Sequence, residues 1–309
     1  MKYRLLGKTG LKVSALCFGA SSLGGGFRPV DEAEGIRTVH TALELGINFI
    51  DVSPYYGLTK AESVLGKALK SIPRNRYHLA TKVGRYDLDR FDFSKERVVR
   101  SVDESLSRLG VEYIDVIQCH DIEFGSLDQI VAETIPALRR LRDQGKVRFI
   151  GITGLPLKIF SYVLDRVQVD TILSYCHCAL NDPSLDTLIP FLKEKHVGII
   201  NAAPFSMGLL TRRGPPAWHP ASSEIRALCA RASSYCAERG EDIARLALQF
   251  SMENEGIHTT LVGTASPEHL RRNVAWLEAP RDEALLAQVR EILTPIMSQT
   301  WPSGRPENN

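Results

Sequence analysis

The sequence predicts an α/β chain closed into a single (β/α)8 TIM barrel over residues 1–309, with an N-terminal β-hairpin cap and a C-terminal tail over the barrel mouth. Three observations carry that expectation. Apolar runs of strand length alternate with amphipathic helical stretches, and such alternation implies a parallel sheet. The alternation yields eight strands, which favours closure over an open doubly wound sheet. No G-x-G-x-x-G follows the first strand of the repeat, so the fingerprint of open dinucleotide-binding sheets is absent.

In chain order, Tyr3-Arg-Leu-Leu6 and Leu11-Lys-Val-Ser14 flank the Gly-bounded turn Gly7-Lys-Thr-Gly10, which reads as a small hairpin. Strands are expected near 15–19, 47–51, 77–82, 113–119, 147–152, 170–175, 197–202 and 258–262. The first helix opens at Asp31-Glu-Ala-Glu and stops at Gly46, an acidic start and a glycine end that suit helix termini. Further helices are expected near 60–71, 94–109, 126–144, 156–166, 184–195, 242–254 and 267–277. Gly24-Gly-Gly26 reads as a mobile loop. Ser206 to Glu241 is too long for an ordinary connection and reads as a functional or disordered loop carrying Pro215-Pro-Ala-Trp218-His219. Past Pro280, a helix with Leu285, Leu286, Val289, Ile292 and Leu293 leads to Thr300-Trp-Pro-Ser-Gly304, which folds back over the mouth.

Composition narrows the function classes. A net charge of +2 gives no electrostatic reason to invoke nucleic acid or an anionic membrane. No apolar run reaches the length of a membrane span and the start is not signal-like, so a cytoplasmic protein is expected. The six cysteines lack a disulfide-rich spacing. Cys176-His-Cys178 is the one metal-like cluster, but adjacent residues on a presumed strand point to opposite faces, so no metal is expected.

Ile47-Asn-Phe-Ile-Asp51 ends a buried strand in an acid, and Tyr56 stands one short turn beyond. Two later strands run into Lys82 and His120. Strand ends converge on one face of a parallel barrel, so Asp51, Tyr56, Lys82 and His120 share a pocket. A phenol titrates near pH 10 and needs tuning to move protons. Lys82 is expected to lower that pKa, with Asp51 orienting the lysine and His120 donating to a substrate oxygen or relaying a proton. Hydride movement beside this proton transfer requires a cofactor, since no side chain carries hydride.

The tetrad, with the Gly7–Gly10 hairpin before the first barrel strand, resembles the aldo-keto reductases through nearly the whole chain. Within that family the sequence is similar to the L-galactose dehydrogenase group, through Phe149-Ile-Gly-Ile-Thr-Gly-Leu-Pro-Leu157, Ile172-Leu-Ser-Tyr-Cys-His177, Gly214-Pro-Pro-Ala-Trp-His-Pro-Ala221 and Thr300-Trp-Pro-Ser-Gly304. The resemblance implies a nicotinamide cofactor across the mouth, with Tyr56 as general acid or base. It implies cofactor contacts at Gly19, Ser21 and Asp51, and at Thr153 and Ser174 for the carboxamide. Ala202 or Ala203 stands where many members have the ring that stacks on nicotinamide, and pyrophosphate contacts fall on Pro204, Phe205, Ser206, Met207 and Gly208, and on the helix start after Gly263 and Ala265. His269, Arg272 and Asn273 belong to the adenosine end. Neither Gly263 nor His269 is strongly basic where NADPH-using relatives place Lys or Arg, which implies NAD. Arg212, Arg213, Arg271 and Arg272 keep NADP as the lesser alternative.

The implied reaction is oxidation of L-galactose at C1 to L-galactono-1,4-lactone, with Tyr55, His120, Trp218, His219 and Trp301 as sugar contacts. Alternatives are a dehydrogenase of L-fucose or D-arabinose, a pyridoxal-type aldehyde reductase, and a cofactor-binding regulatory subunit on the same fold. The expected partner is a small-molecule sugar, and the expected assembly a monomer or weak homodimer.

Overall fold

The computed structural model describes residues 1–26 and 29–309. Tyr3–Leu5 (β1) and Lys12–Ser14 (β2) form an antiparallel hairpin. Eight parallel strands follow: Leu16–Gly19 (β3), Phe49–Asp51 (β4), His78–Val83 (β5), Ile114–Cys119 (β6), Val147–Gly154 (β7), Thr171–Tyr175 (β8), Gly198–Ala202 (β9) and Thr259–Gly263 (β10). They close as β10-β3-β4-β5-β6-β7-β8-β9, with β10 also paired to β9. The eight strands match the expected ones to within two residues at each end.

The hairpin plugs the N-terminal end of the barrel. Leu6, Leu11 and Val13 pack with the inward-facing Cys17, Phe49, Ala80, Val116, Leu173, Ile200 and Leu261. Gly7 must be glycine: its φ is +52°, and a Cβ there would lie 2.4 Å from the Gly198 amide nitrogen. The plug leaves the opposite end as the open mouth, where the strand ends and βα loops gather.

Helices surround the strands in the expected order: Glu32–Glu44 (α1), Lys60–Leu69 (α2), Lys95–Leu109 (α3), Leu127–Gln129 (α4), Ile135–Asp143 (α5), Lys158–Leu164 (α6), Ile189–Glu194 (α7), Ser223–Ala237 (α8), Ile243–Glu253 (α9), Pro267–Glu278 (α10) and Glu283–Leu293 (α11). The single helix expected over 126–144 contains a π turn, Ile130–Thr134, between α4 and α5. It lies just before Pro136, which supplies no amide to the helical ladder.

Two expectations need correction. Ser206 to Glu241 is not one long loop, because α8 fills 15 residues of it. Ser222 caps that helix by accepting from the Ile225 amide at 3.2 Å. Its buried side is Ile225, Cys229, Ala232, Ser233 and Cys236, mostly small residues that give a weak apolar period. Gly24 is also packed rather than free. It closes a 3-10 turn, and a Cβ there would lie 2.7 Å from the Tyr56 carbonyl, so glycine brings this turn against the backbone of the key tyrosine. Cys176 to Cys178 fall just beyond β8, with Cys176 at φ +66°.

The tail does cross the mouth. Ser298 donates its amide to the Asn181 carbonyl beyond β8. Ser303, Arg305 and Asn308 all bond to Glu123, beyond β6.

Candidate active site

Asp51 ends β4, Lys82 lies near the end of β5, His120 follows β6, and Tyr56 stands in the turn after β4. Parallel closure brings these four together. The Lys82 ammonium bonds to Asp51, to the Val52 carbonyl at 3.0 Å and to the Tyr56 hydroxyl at 3.1 Å. Asp51 and Lys82 are buried, and the His120 ring stands edge-on to Tyr56 with centroids 5.6 Å apart.

The electrostatics differ from the sequence expectation in one respect. Burial pushes the Tyr56 phenol up to about 12, and the nearby Lys82 charge only partly opposes that rise. Lys82 pulls toward the phenolate as expected, but desolvation of an anion costs more here. Burial alone would lower the Lys82 ammonium, yet Asp51 and Tyr56 hold it above its ordinary value, so the cation persists. Burial raises the Asp51 carboxyl against the pull of Lys82 and Gln118. His120 is lowered to about 3 by burial, so its ring is neutral at ordinary pH.

Sequence reasoning missed several neighbours. Gln118, in register with Lys82 across β5 and β6, donates to Asp51 at 2.7 Å. Arg85 pairs with Asp121 at 2.5 Å, and its guanidinium stacks 3.9 Å from the centre of the Tyr55 ring. Asp121 adopts φ +50°, an uncommon conformation for a residue with a side chain. Arg85 and Asp121 lie only three and one residues beyond Lys82 and His120, the only signal the chain offers for them. Glu123 is fully buried and ties the tail down. Its Oε1 accepts from the Ser303 hydroxyl at 2.9 Å and the Leu155 amide at 3.2 Å, and its carbonyl accepts from the Arg305 amide and the Asn308 side chain. Burial and the Asp121 charge push this carboxyl up to about 8.

Residues 15–294 match the family model described as the aldo/keto reductase family. The chain belongs to that family. It is 54% identical to an L-galactose dehydrogenase of Arabidopsis thaliana over 100% of this chain and 99% of the relative. It is 31% identical to a D-arabinose 1-dehydrogenase of Saccharomyces cerevisiae, covering 95% of each. Among solved structures, a holo aldo-keto reductase from Bacillus halodurans is similar at a TM-score of 0.77 and 30% identity, with 98% of each chain covered.

Aldo-keto reductases are oxidoreductases that use nicotinamide cofactors, and several features of this mouth fit one. Ser174 Oγ is buried with no hydrogen-bond partner among the described residues, a state that suits an amide ligand. The loop after β9 holds Ala203, Ser206 and Met207 at positive φ, and such strain at non-glycine residues marks functional backbone. Gly19 and Gly263 pair at the ends of β3 and β10; a Cβ on Gly263 would lie 3.1 Å from Ser21 Oγ. Ala265 is buried just before α10, whose start lacks a side-chain cap and so leaves backbone N–H groups for an anion. Asn273 is buried on that helix, whereas His269 and Arg272 are exposed.

Three of the sequence-based assignments change in character. The Thr153 hydroxyl accepts from the Asp121 amide at 2.9 Å and donates to the Asp121 carboxylate at 3.3 Å, so it is engaged with Asp121 and Ser174 is left for a carboxamide. His219 donates from Nε2 to the Ser206 carbonyl at 3.1 Å and accepts at Nδ1 from the Ala221 amide at 3.1 Å. Neither ring nitrogen is left for a sugar hydroxyl; His219 buttresses the loop after β9 instead. Trp301 meets His219 edge-on at 4.8 Å and packs in the apolar cluster under the tail. Tyr55 and His120 adjoin Tyr56, while Trp218 is 58% exposed. No group of three or more His, Cys, Asp or Glu among the described residues could hold a metal ion; His177 of the metal-like cluster pairs with Asp182 at 2.8 Å.

Proposed function

We propose that this chain oxidises an aldose at its anomeric carbon, with L-galactose as substrate, NAD as cofactor and Tyr56 as the proton acceptor. The substrate reading rests chiefly on the 54% full-length identity to an L-galactose dehydrogenase. When bound, the oxidised nicotinamide supplies the hydride acceptor and a positive charge. Ser174, the 203–208 loop, Gly263 and the start of α10 would hold it.

Tyr56 takes the proton of the C1 hydroxyl as the C1–H bond breaks. Lys82, 3.1 Å from the phenol oxygen, stabilises the phenolate that accepts the proton, and Asp51, itself held by Gln118, keeps Lys82 in place. His120 donates to the same substrate oxygen. Oxidising a pyranose at C1 gives the six-membered lactone first, and the 1,4-lactone follows by ring contraction.

Three of the four arginines that speak for NADP are turned to other partners, which supports NAD. Arg271 pairs with Glu44 at 3.4 Å, Arg272 lies over the Trp276 ring and Arg212 bonds to the Glu241 carbonyl. Initial rates of reduced-cofactor formation with L-galactose, L-fucose and D-arabinose, each with NAD and with NADP, test the proposal. The highest kcat/KM is expected for L-galactose with NAD, and a clear advantage for NADP or another sugar refutes that part of the reading. We also expect a cytoplasmic monomer or weak homodimer, with light scattering as the check on assembly.

A further inference from the structure

Ser53 lies between Asp51 and Tyr56 and is fully buried. Its hydroxyl oxygen accepts from the Tyr55 amide at 3.1 Å and stands 3.0 Å from His120 Nδ1. We infer that Ser53 is a positioning residue: its hydroxyl donates to Nδ1 and so fixes His120 as the neutral tautomer that carries its proton on Nε2, toward the reacting oxygen. This deepens the oxidation proposed above and rests on it for its consequence, though not for its geometry.

Two independent observations assign the direction of the bond. A buried hydroxyl proton needs an acceptor, and His120 Nδ1 is the acceptor the structure gives this one. The opposite tautomer would have Nδ1 donating to Ser53 and would leave the serine proton with no partner. On the far side of the ring, Nε2 lies 3.7 Å from Asp121 Oδ2. That carboxylate favours a proton on Nε2 and disfavours a bare lone pair there. Asp121 is itself held in place by Arg85 and by the Thr153 hydroxyl.

A neutral histidine has one N–H to give, and which nitrogen carries it is set by the bond the other makes. With the proton on Nε2, His120 donates to the C1 oxygen while that oxygen loses its own proton to Tyr56. With the proton on Nδ1, the ring would turn a lone pair toward the oxygen lone pairs, and the donor would be lost. The hydroxyl of Ser53 thus controls the site without touching substrate.

The test combines spectroscopy with kinetics on the full chain. Nitrogen-15 NMR of histidine-labelled protein, with the His120 signal identified by its loss in His120→Gln, is expected to show an unprotonated Nδ1 and a protonated Nε2. In Ser53→Ala the Nδ1-protonated form should appear. The variant's kcat should fall about 10- to 100-fold, up to the lower end of a general acid–base contribution because the other tautomer is only partly populated, while its Kd for cofactor stays within about twofold. A protonated Nδ1 in the unaltered chain overturns the inference even if Ser53→Ala fails to fold. So does a Ser53→Ala protein with unchanged tautomer and kcat. Failure of the unaltered chain to oxidise any sugar would instead strike the proposed function, because the NMR result decides the tautomer without turnover.

Discussion

Asp51 and Asp115, both fully buried, lie at opposite ends of the barrel, and their surroundings differ in kind. Asp115, at the plugged end, accepts from Arg74 at 2.6 Å, Arg148 at 2.7 Å and the Leu79 amide at 2.9 Å. Burial alone would raise its carboxyl, yet hydrogen bonds from His78 and Arg74 and the Arg74 charge hold it down at about 2. Asp51, at the mouth, faces one ammonium that it shares with Tyr56, plus the Gln118 amide. Its carboxyl is raised, not lowered. A carboxylate supplied with two guanidinium groups is locked as an anion and serves stability. In the proposed oxidation, one that must share its cation serves the proton transfer of the neighbouring phenol. Opposite environments have given the same side chain opposite tasks.

The largest effect is expected where the cation is shared. Tyr56→Phe should lower kcat by about 10³-fold, within the range of general acid–base loss, with cofactor binding and melting temperature unchanged; retained turnover would remove Tyr56 from its role. Because burial keeps the Tyr56 phenol protonated until about pH 12 in the protein alone, the oxidation rate should rise with pH through the neutral and alkaline range. A flat profile from pH 6 to 9 would contradict a phenol base.

At the plugged end the effect should be on stability and not on rate. Asp115→Ala strands Arg74, Arg148 and the Leu79 amide, costing about 2–3 kcal/mol for lost charge-assisted bonds, with kcat within about twofold. Since the folded carboxyl titrates at about 2, below its unfolded value, Asp115 contributes stability that is complete above about pH 5 and is lost as pH falls toward 2. That contribution, about 2 kcal/mol, should appear in urea unfolding of the unaltered chain and be absent in Asp115→Asn.

The remaining test concerns Glu123, another buried carboxyl, to which no cation is bonded among the described residues. Its folded value of about 8 lies above the unfolded one, so the stability it lends is present below about pH 4 and is lost as pH rises toward 8. Glu123→Gln copies the protonated form and should flatten this decline, by roughly 2–4 °C in melting temperature for each kcal/mol. Unaltered pH dependence of melting in the variant would show that the tail is not tied through that proton.

Much of this was legible along the chain because the signals were local. Each barrel strand is a short apolar run with a flanking turn, and Asp51, Lys82 and His120 stand at or just beyond such runs. The missing helix over Ser223–Ala237 shows the limit: its buried face is built from cysteine, alanine and serine, so its apolar period was faint. Ser53 and Gln118 carried no signal of their own, since each matters through a partner 67 residues away, and Arg85 and Asp121 were marked only by standing just beyond Lys82 and His120.

The order of apolar and polar residues determined that eight strands would form, and the parallel barrel then set which of their ends would face one another. Tertiary closure alone decided the balance of charge inside. A linear reading showed that Lys82 would be near Tyr56 but not that burial would outweigh it, because desolvation depends on every atom that excludes water. For the same reason the chain could nominate His120, while the protonated nitrogen of its ring was decided by Ser53 and Asp121 packed on either side.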